Sequence, residues 1–220
     1  MRENLSNTGQ VGNDGRRFLV NDWYGRSIPA NVTLADSVYL DGTYTFGEFF
    51  SEGMPGLSIG TASGIYDNAR IIAGRQARIE IGDYTVINGS LLYCNEHLVI
   101  GSHCMISWNT VITDTWPDFR FMQPEQRRLC LEALSGDPDR RFVPGTAPKP
   151  VVLEDNCWVG FGAVVMPGVR LGRGCIVASK AVVTEDVPPY TIVAGNPSRI
   201  VRHLNPDDTD DARKFAFEYQ

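Results

Sequence analysis

The sequence predicts an all-β chain wound as a parallel helix of triangular coils. Two aliphatic rows and the spacing of the glycines carry this reading. Leu153, Val159, Val165, Leu171, Val177 and Val183 stand six apart without a break, and Cys157, Ala163, Val169, Cys175 and Ala181 form a second row at the same spacing. A period of six suits neither an α-helix nor an ordinary strand. It fits three short strands per turn, with one side chain of each pointing inward and each coil burying its apolar edge on the next. The handedness expected of such a chain is left-handed.

The earlier chain repeats the pattern less evenly. Val32, Val38 and Tyr44 are six apart, as are Leu34, Leu40 and Phe46, then Ile59, Ile65 and Ile71, then Ile81 and Ile87, then Ile100, Ile106 and Ile112. The phase slips by one residue between 87 and 100 and by more between 71 and 81, which reads as corner insertions. Glycine follows the aliphatic residue at Gly60, Gly82, Gly101 and Gly172, where a tight corner is expected to need an unusual backbone angle.

The period stops at Asp114 and resumes at Val151. The 36 residues between them hold Pro117, Pro124, Pro138, Pro144, Pro148 and Pro150. A long insertion that leaves a stacked coil must project, and loops of this length are usually functional. Within it, Gln123 to Leu134 fits a short helix, with Pro124 in its first turn and Gly136 after its end. The expected organisation is therefore an N-terminal segment over 1–29, coils over 30–114, a projecting loop over 115–150, coils over 151–195 and a tail over 196–220. The tail holds an acidic stretch, Asp207–Asp211, and a short C-terminal helix over Ala212–Tyr219.

Composition narrows the function classes. The 220 residues suffice for one sizeable core, and 22 glycines and 13 prolines suit a chain with three corners per coil. A net charge of −6 argues against a broad nucleic-acid surface. No run approaches 18 apolar residues, so no membrane span is expected. Met1–Thr8 is polar and lacks the apolar core of a secretory signal. Five cysteines without C-x-x-C spacing read as reduced thiols of a cytoplasmic protein. Flat faces along a triangular prism suit packing of identical copies, and a homotrimer is expected.

Three stretches carry a family resemblance. They are Asn156-Cys-Trp-Val-Gly-Phe-Gly-Ala-Val-Val-Met-Pro-Gly-Val-Arg-Leu-Gly172, Val182-Val-Thr-Glu-Asp-Val-Pro188 and Gly195-Asn-Pro-Ser-Arg-Ile200. They resemble the C-terminal half of the hexapeptide-repeat acyltransferases, nearest the sugar O-acetyltransferases and the xenobiotic acetyltransferases. The resemblance implies acetyl-CoA as co-substrate, held in a groove between subunits, with no metal. It implies backbone contacts to the coenzyme at Gly160 and Ala178, a groove wall at Trp158, and contacts near the nucleotide end from Thr184, Arg199 and Arg202. An arginine fork suits a phosphate. Asn88 matches a position that contacts the acceptor, where an amide can both donate and accept. Trp158 reads equally as a packed wall at a subunit interface, Arg199 and Arg202 as a solvated tail, and Asn88 as a coil-corner residue.

Two positions depart from the family. Its usual basic histidine falls here on Pro117 or Asp118, and Glu185 stands where lysine is common. An exposed aspartate is a weak base at neutral pH, burial would strengthen it, and a neutral amine acceptor would need little help. His97 and His103, six apart, could stack on one face, and His203 reads as structural. The leading expectation is acyl transfer from acetyl-CoA to a hydroxyl or amine of a sugar or small metabolite, with Asp118, Asn88 and Asp114 as catalytic candidates. The alternative is a repurposed enzyme in which Asp114, Asp118 and Arg120 converge at the loop root, the two carboxylates serving as acid and base, or a binding protein without activity.

Overall fold

The computed structural model describes residues 10–12, 14–116, 123–135 and 147–206. They form a β-solenoid of six coils whose strands line up in three parallel sheets, the faces of a prism. The first face stacks Val32–Leu34, Leu57–Ile59, Arg78–Ile81, His97–Ile100, Val151–Leu153 and Arg170–Leu171. The second stacks Tyr39–Leu40, Gly64–Tyr66, Val86–Asn88, Met105–Ile106, Trp158–Val159, Ile176–Val177 and Thr191–Ala194, and ends on an antiparallel strand, Arg199–His203. The third stacks Glu48–Phe49, Arg70–Ala73, Leu91–Cys94, Val111–Thr113, Val164–Val165 and Val182–Val183.

The six-residue rows are the core. Ile59, Ile81, Ile100, Leu153 and Leu171 pair in register on the first face. Leu40, Ile65, Ile87, Ile106, Val159 and Val177 do so on the second. Ile71, Leu92, Ile112, Val165 and Val183 do so on the third. All these side chains are buried. Cys104, Cys157 and Cys175 stack at the corner between the first two faces. Each thiol donates to a carbonyl one coil on: Glu154 at 3.3 Å, Gly172 at 3.3 Å and Pro188 at 3.1 Å. These three and Cys94 are free thiols.

The phase slips do lie at corners. Residues 74–77 form an extra turn between the strands Arg70–Ala73 and Arg78–Ile81. The glycine reading needs correction. The unusual backbone angle falls two residues after the aliphatic-glycine pair, at Ala62, Tyr84, His103 and Gly174, with φ of 55°, 54°, 59° and 69°. Gly82 and Gly101 are there for close approach instead. A Cβ on Gly82 would lie 2.6 Å from the Ser102 nitrogen, and one on Gly101 would lie 2.7 Å from that of Asp155.

The inserted segment leaves and returns at one point, since the Lys149 N–H donates to the Asp114 carbonyl at 2.8 Å. It contains a helix, Pro124–Ser135, close to the expected span. The expected C-terminal helix over 212–219 lies outside the described residues.

Candidate acyl-transfer groove

From Ile87 onward, the residue after each inward aliphatic of the second face is small or polar, and register stacks these into one recessed row. Asn88, Ser107, Gly160, Ala178 and Ala194 follow Ile87, Ile106, Val159, Val177 and Val193 in turn. Hydrogen bonds between coils hold the row: Ser107 N–H to the Val159 carbonyl at 3.0 Å, Gly160 to Val177 at 2.8 Å, and Ala178 to Val193 at 2.8 Å. Asn88 and Ser107 are only 7% and 6% exposed. Arg199 pairs with Ala194 and so closes the row at its C-terminal end. Five strand spacings make the row roughly 24 Å long.

The residues on either side stand out from it. Met105, Trp158, Ile176 and Ile192 form one rim, in register, and Arg202 pairs with Ile192 at its end. Trp158 is 48% exposed, and its indole N–H reaches back to the Ser107 hydroxyl at 3.3 Å. Exposed Trp108 and Phe161 form the other rim, with the Lys180 ammonium 4.9 Å from the Phe161 ring centre. The result is an open groove with a narrow polar floor, apolar walls and arginines at one end.

The structure thus brings together six of the residues singled out from sequence. Asn88, Gly160, Ala178 and Arg199 share the floor, and Trp158 and Arg202 share a rim. Thr184 does not join them; it is exposed beyond Val183 at the end of the third face, next to Glu185. Asp118 and Arg120 lie outside the described residues. Sequence reasoning missed Ser107, Trp108 and Phe161. Ser107 was readable as the residue after Ile106, in the same phase as Gly160 after Val159.

Asp114 has a different setting from the one expected. It is fully buried. Its carboxylate accepts the backbone N–H groups of Asn95 at 2.9 Å, Glu96 at 2.7 Å and His97 at 3.0 Å, and the Thr115 hydroxyl at 2.9 Å. The Cys94 thiol lies 3.3 Å away, and burial, then the Asp114 charge, push that thiol's pKa up. A carboxylate so fully engaged fastens the root of the inserted segment to the preceding coil. Gly160 also has a packing reason: a Cβ there would lie 2.7 Å from the Ser179 nitrogen. Its N–H is bonded to the Val177 carbonyl of the next coil.

The histidines stand apart. His97 is on the first face, its Nε2 3.0 Å from Glu80, and His103 sits at a corner stacked on Tyr84 with ring centres 5.1 Å apart. They do not share a face. His203 is exposed on the last strand, its Nδ1 3.4 Å from the Thr191 hydroxyl. Among the described residues, no group of three or more His, Cys, Asp or Glu is placed to hold a metal. None of the described helices is long and apolar enough to cross a membrane.

Comparison with known proteins agrees with this geometry. Residues 150–185 match the bacterial transferase hexapeptide (six repeats) family. A 66-residue stretch is 43% identical to the 2,3,4,5-tetrahydropyridine-2,6-dicarboxylate N-acetyltransferase of Staphylococcus aureus, covering 30% of this chain and 27% of that protein. Matches to three such curated relatives span 24% to 27% of their lengths. The crystal structure of hexapeptide-repeat acetyltransferase VCA0836 from Vibrio cholerae, complexed with acetyl coenzyme A, is 29% identical. It covers 68% of this chain and 72% of that one, with a TM-score of 0.53. AntD, an N-acyltransferase from Bacillus cereus in complex with dTDP and 3-hydroxybutyryl-CoA, is 20% identical and shares the fold over 87% of this chain and 89% of its own, with a TM-score of 0.56. Repeat, register and matched stretches together make this chain a hexapeptide-repeat β-solenoid similar to the acyltransferases built on that repeat.

Proposed function

We propose that the chain transfers an acyl group from an acyl-coenzyme A, acetyl-CoA in the first instance, to an amine or hydroxyl of a small molecule. The observation that carries this is the single row from Asn88 to Arg199, on which residues implied for acceptor, pantetheine arm and phosphate fall in that order. A thioester bound there supplies the activated acyl carbon. Trp158, Met105 and Phe161 give the arm apolar walls, and Arg199 and Arg202 offer forked donors to phosphate. Asn88 faces the acceptor end with both a donor and an acceptor.

The new bond forms from the acceptor nitrogen or oxygen to the acyl carbon, the carbon–sulfur bond breaks, and the thiol leaves. The acceptor's proton must also go. No histidine lies on the groove row, so an amine acceptor is favoured, because a neutral amine attacks without prior deprotonation. Asp118 is proposed to take the proton afterwards.

The second and third faces suit packing between copies. Their outward rows are apolar: Val86, Met105, Trp158 and Ile176 on one, Leu91, Val111, Val164 and Val182 on the other. The first face is more mixed, with Thr33, Ser58, Glu80 and Arg170 in one row with Val99 and Val152. A homotrimer that buries the apolar faces and walls the groove with a neighbour is part of the proposal, as is a cytoplasmic setting for its free thiols.

Isothermal titration with acetyl-CoA tests the reading. Saturable binding near one site per chain is expected, followed by amine-dependent thiol release that Asp118→Asn slows. No binding at millimolar ligand would remove it.

A further inference from the structure

A second cavity lies at the opposite end of the molecule from Arg199. It is an open depression of about 420 Å³ between the N-terminal segment and the first coil, lined by Arg16, Phe18, Gly25, Arg26, Ser27, Pro29, Thr43 and Phe46. That volume is in the range of small-molecule sites. Four coil spacings, roughly 19 Å, separate the first coil from Gly160, so this cavity is not part of the acyl groove.

Its wall is rigidly built. The Asp22 carboxylate accepts the N–H groups of Tyr24 and Gly25, each at 3.1 Å, and of Thr43 at 3.2 Å, as well as the Thr43 hydroxyl. Arg26 N–H donates to the same hydroxyl at 3.2 Å. Arg17 donates to the carbonyls of Pro29, at 3.3 Å, and Val32. The turn over 22–26 is thereby fastened to residues 42–43, and Pro29 to the strand beginning at Val32.

The donors that face the cavity are differently employed. The Arg26 guanidinium lies 4.9 Å from the Tyr24 ring centre and has no carboxylate partner among the described residues. Among the described residues Arg16 pairs with Asp14, at 3.3 Å and on an open surface where such a pair is weak. Asp22 turns its oxygens to the backbone. A guanidinium with no carboxylate partner among the described residues, a second within the same lining, and the apolar surfaces of Phe18, Phe46 and Pro29 make a pocket for a charged head on a ring.

We propose that this cavity is a binding site for a small ring-bearing anion, an organic phosphate or carboxylate, with Arg26 as its principal anion contact and Arg16 as the second. The ring rests on Phe18 and Phe46. The site does not depend on the acyl-transfer reading.

The test is calorimetry of the full chain with phenyl phosphate, benzoate and inorganic phosphate, with saturating coenzyme A present. Phenyl phosphate or benzoate is expected to bind at one site per chain, about tenfold tighter than inorganic phosphate. Arg26→Gln should weaken it about tenfold, Arg16→Gln less, and Arg26→Lys should recover part of the loss, all with unchanged melting temperature. Absence of saturation by about 10 mM, equal affinity for inorganic phosphate, or binding indifferent to Arg26→Gln overturns the proposal. Failure of coenzyme A to bind would sink the acyl-transfer reading but leave these variants just as decisive for the cavity.

Discussion

The coils before the inserted segment and those after it are built to different tolerances. From Val151 to Val183 the paired steps are all 18 residues, as Leu153 with Leu171 and Val165 with Val183 show, and the closing step, Val177 to Val193, is 16. Before Asp114 the steps are longer and uneven: Ile59 to Ile81 is 22 residues, and Ile81 to Ile100 is 19. The extra residues go to corners, because inward aliphatics must stay in register while corners face solvent. The regular half thus presents a uniform track, and the irregular half carries the particular features: Asn88, the N-terminal cavity and the Tyr39–Tyr66 stack at 5.0 Å. Under the proposed function, the uniform track would hold the coenzyme and the irregular half would choose the small molecule.

If that division is right, the regular half should be the less forgiving. Leu153→Ala, at a fully buried position, is expected to cost about 3–5 kcal/mol in urea unfolding. Leu34→Ala, at a partly buried place in the first coil, should cost about 1 kcal/mol. Equal costs would mean the two halves form one evenly packed stack.

The seam between the halves comes next. Asp114→Ala leaves the N–H groups of Asn95, Glu96 and His97 without their shared acceptor, at a cost of about 3 kcal/mol. Asp114→Asn keeps one oxygen and should recover part of this. Were Asp114 instead a proton carrier of the reaction, Asn would keep the stability but abolish turnover, and kinetics beside unfolding would separate the two duties.

How much of this the sequence disclosed follows from the same contrast. The rows from Leu153 to Val183 were legible because six-residue spacing there is unbroken, and the burial of each member follows from it. The groove floor was only half legible. Gly160 and Ala178 came through resemblance, but Ser107 lies outside the resembling stretches and only its phase after Ile106, whose partner Val159 is 53 positions on, could have pointed to it. Gly82 and Gly101 were picked out for the wrong cause: the close approach of the next coil is a property of stacking and leaves no local signal. Asp114 looked chemical because it stands at the loop root. Only coordinates reveal that the backbone of the coil before it turns its N–H groups inward.

Trp158 separates groove from scaffold with a smaller expected effect. Its side chain stands half-exposed on the uniform track, so Trp158→Ala should change unfolding free energy by less than about 1 kcal/mol. Acetyl-CoA binding should weaken about tenfold by calorimetry, the share of one aromatic wall. A large stability loss with intact binding would instead make Trp158 a packing residue between copies.

The smallest effect concerns the irregular end and is read by pH. Burial acts to raise the Asp22 pKa, but the hydrogen bonds from Thr43, Tyr24 and Gly25 outweigh it and hold the carboxyl below its ordinary 3.8. A depressed folded pKa gives stability that is fully present above the unfolded value and is lost as pH falls from about 3.8 through the folded value. The group is solvent-accessible enough to be screened, so the expected contribution is no more than about 1 kcal/mol. Amide exchange at residues 24–26 and 43, corrected for intrinsic rates, should therefore quicken between pH 5 and pH 3 while that at Val164 and Val165 holds. Asp22→Asn should show the quick exchange already at pH 5 and lose the pH dependence. Parallel quickening in both places would show that the first coil opens only with the whole stack, and the division between a tolerant end and a strict one would then be a matter of sequence spacing alone.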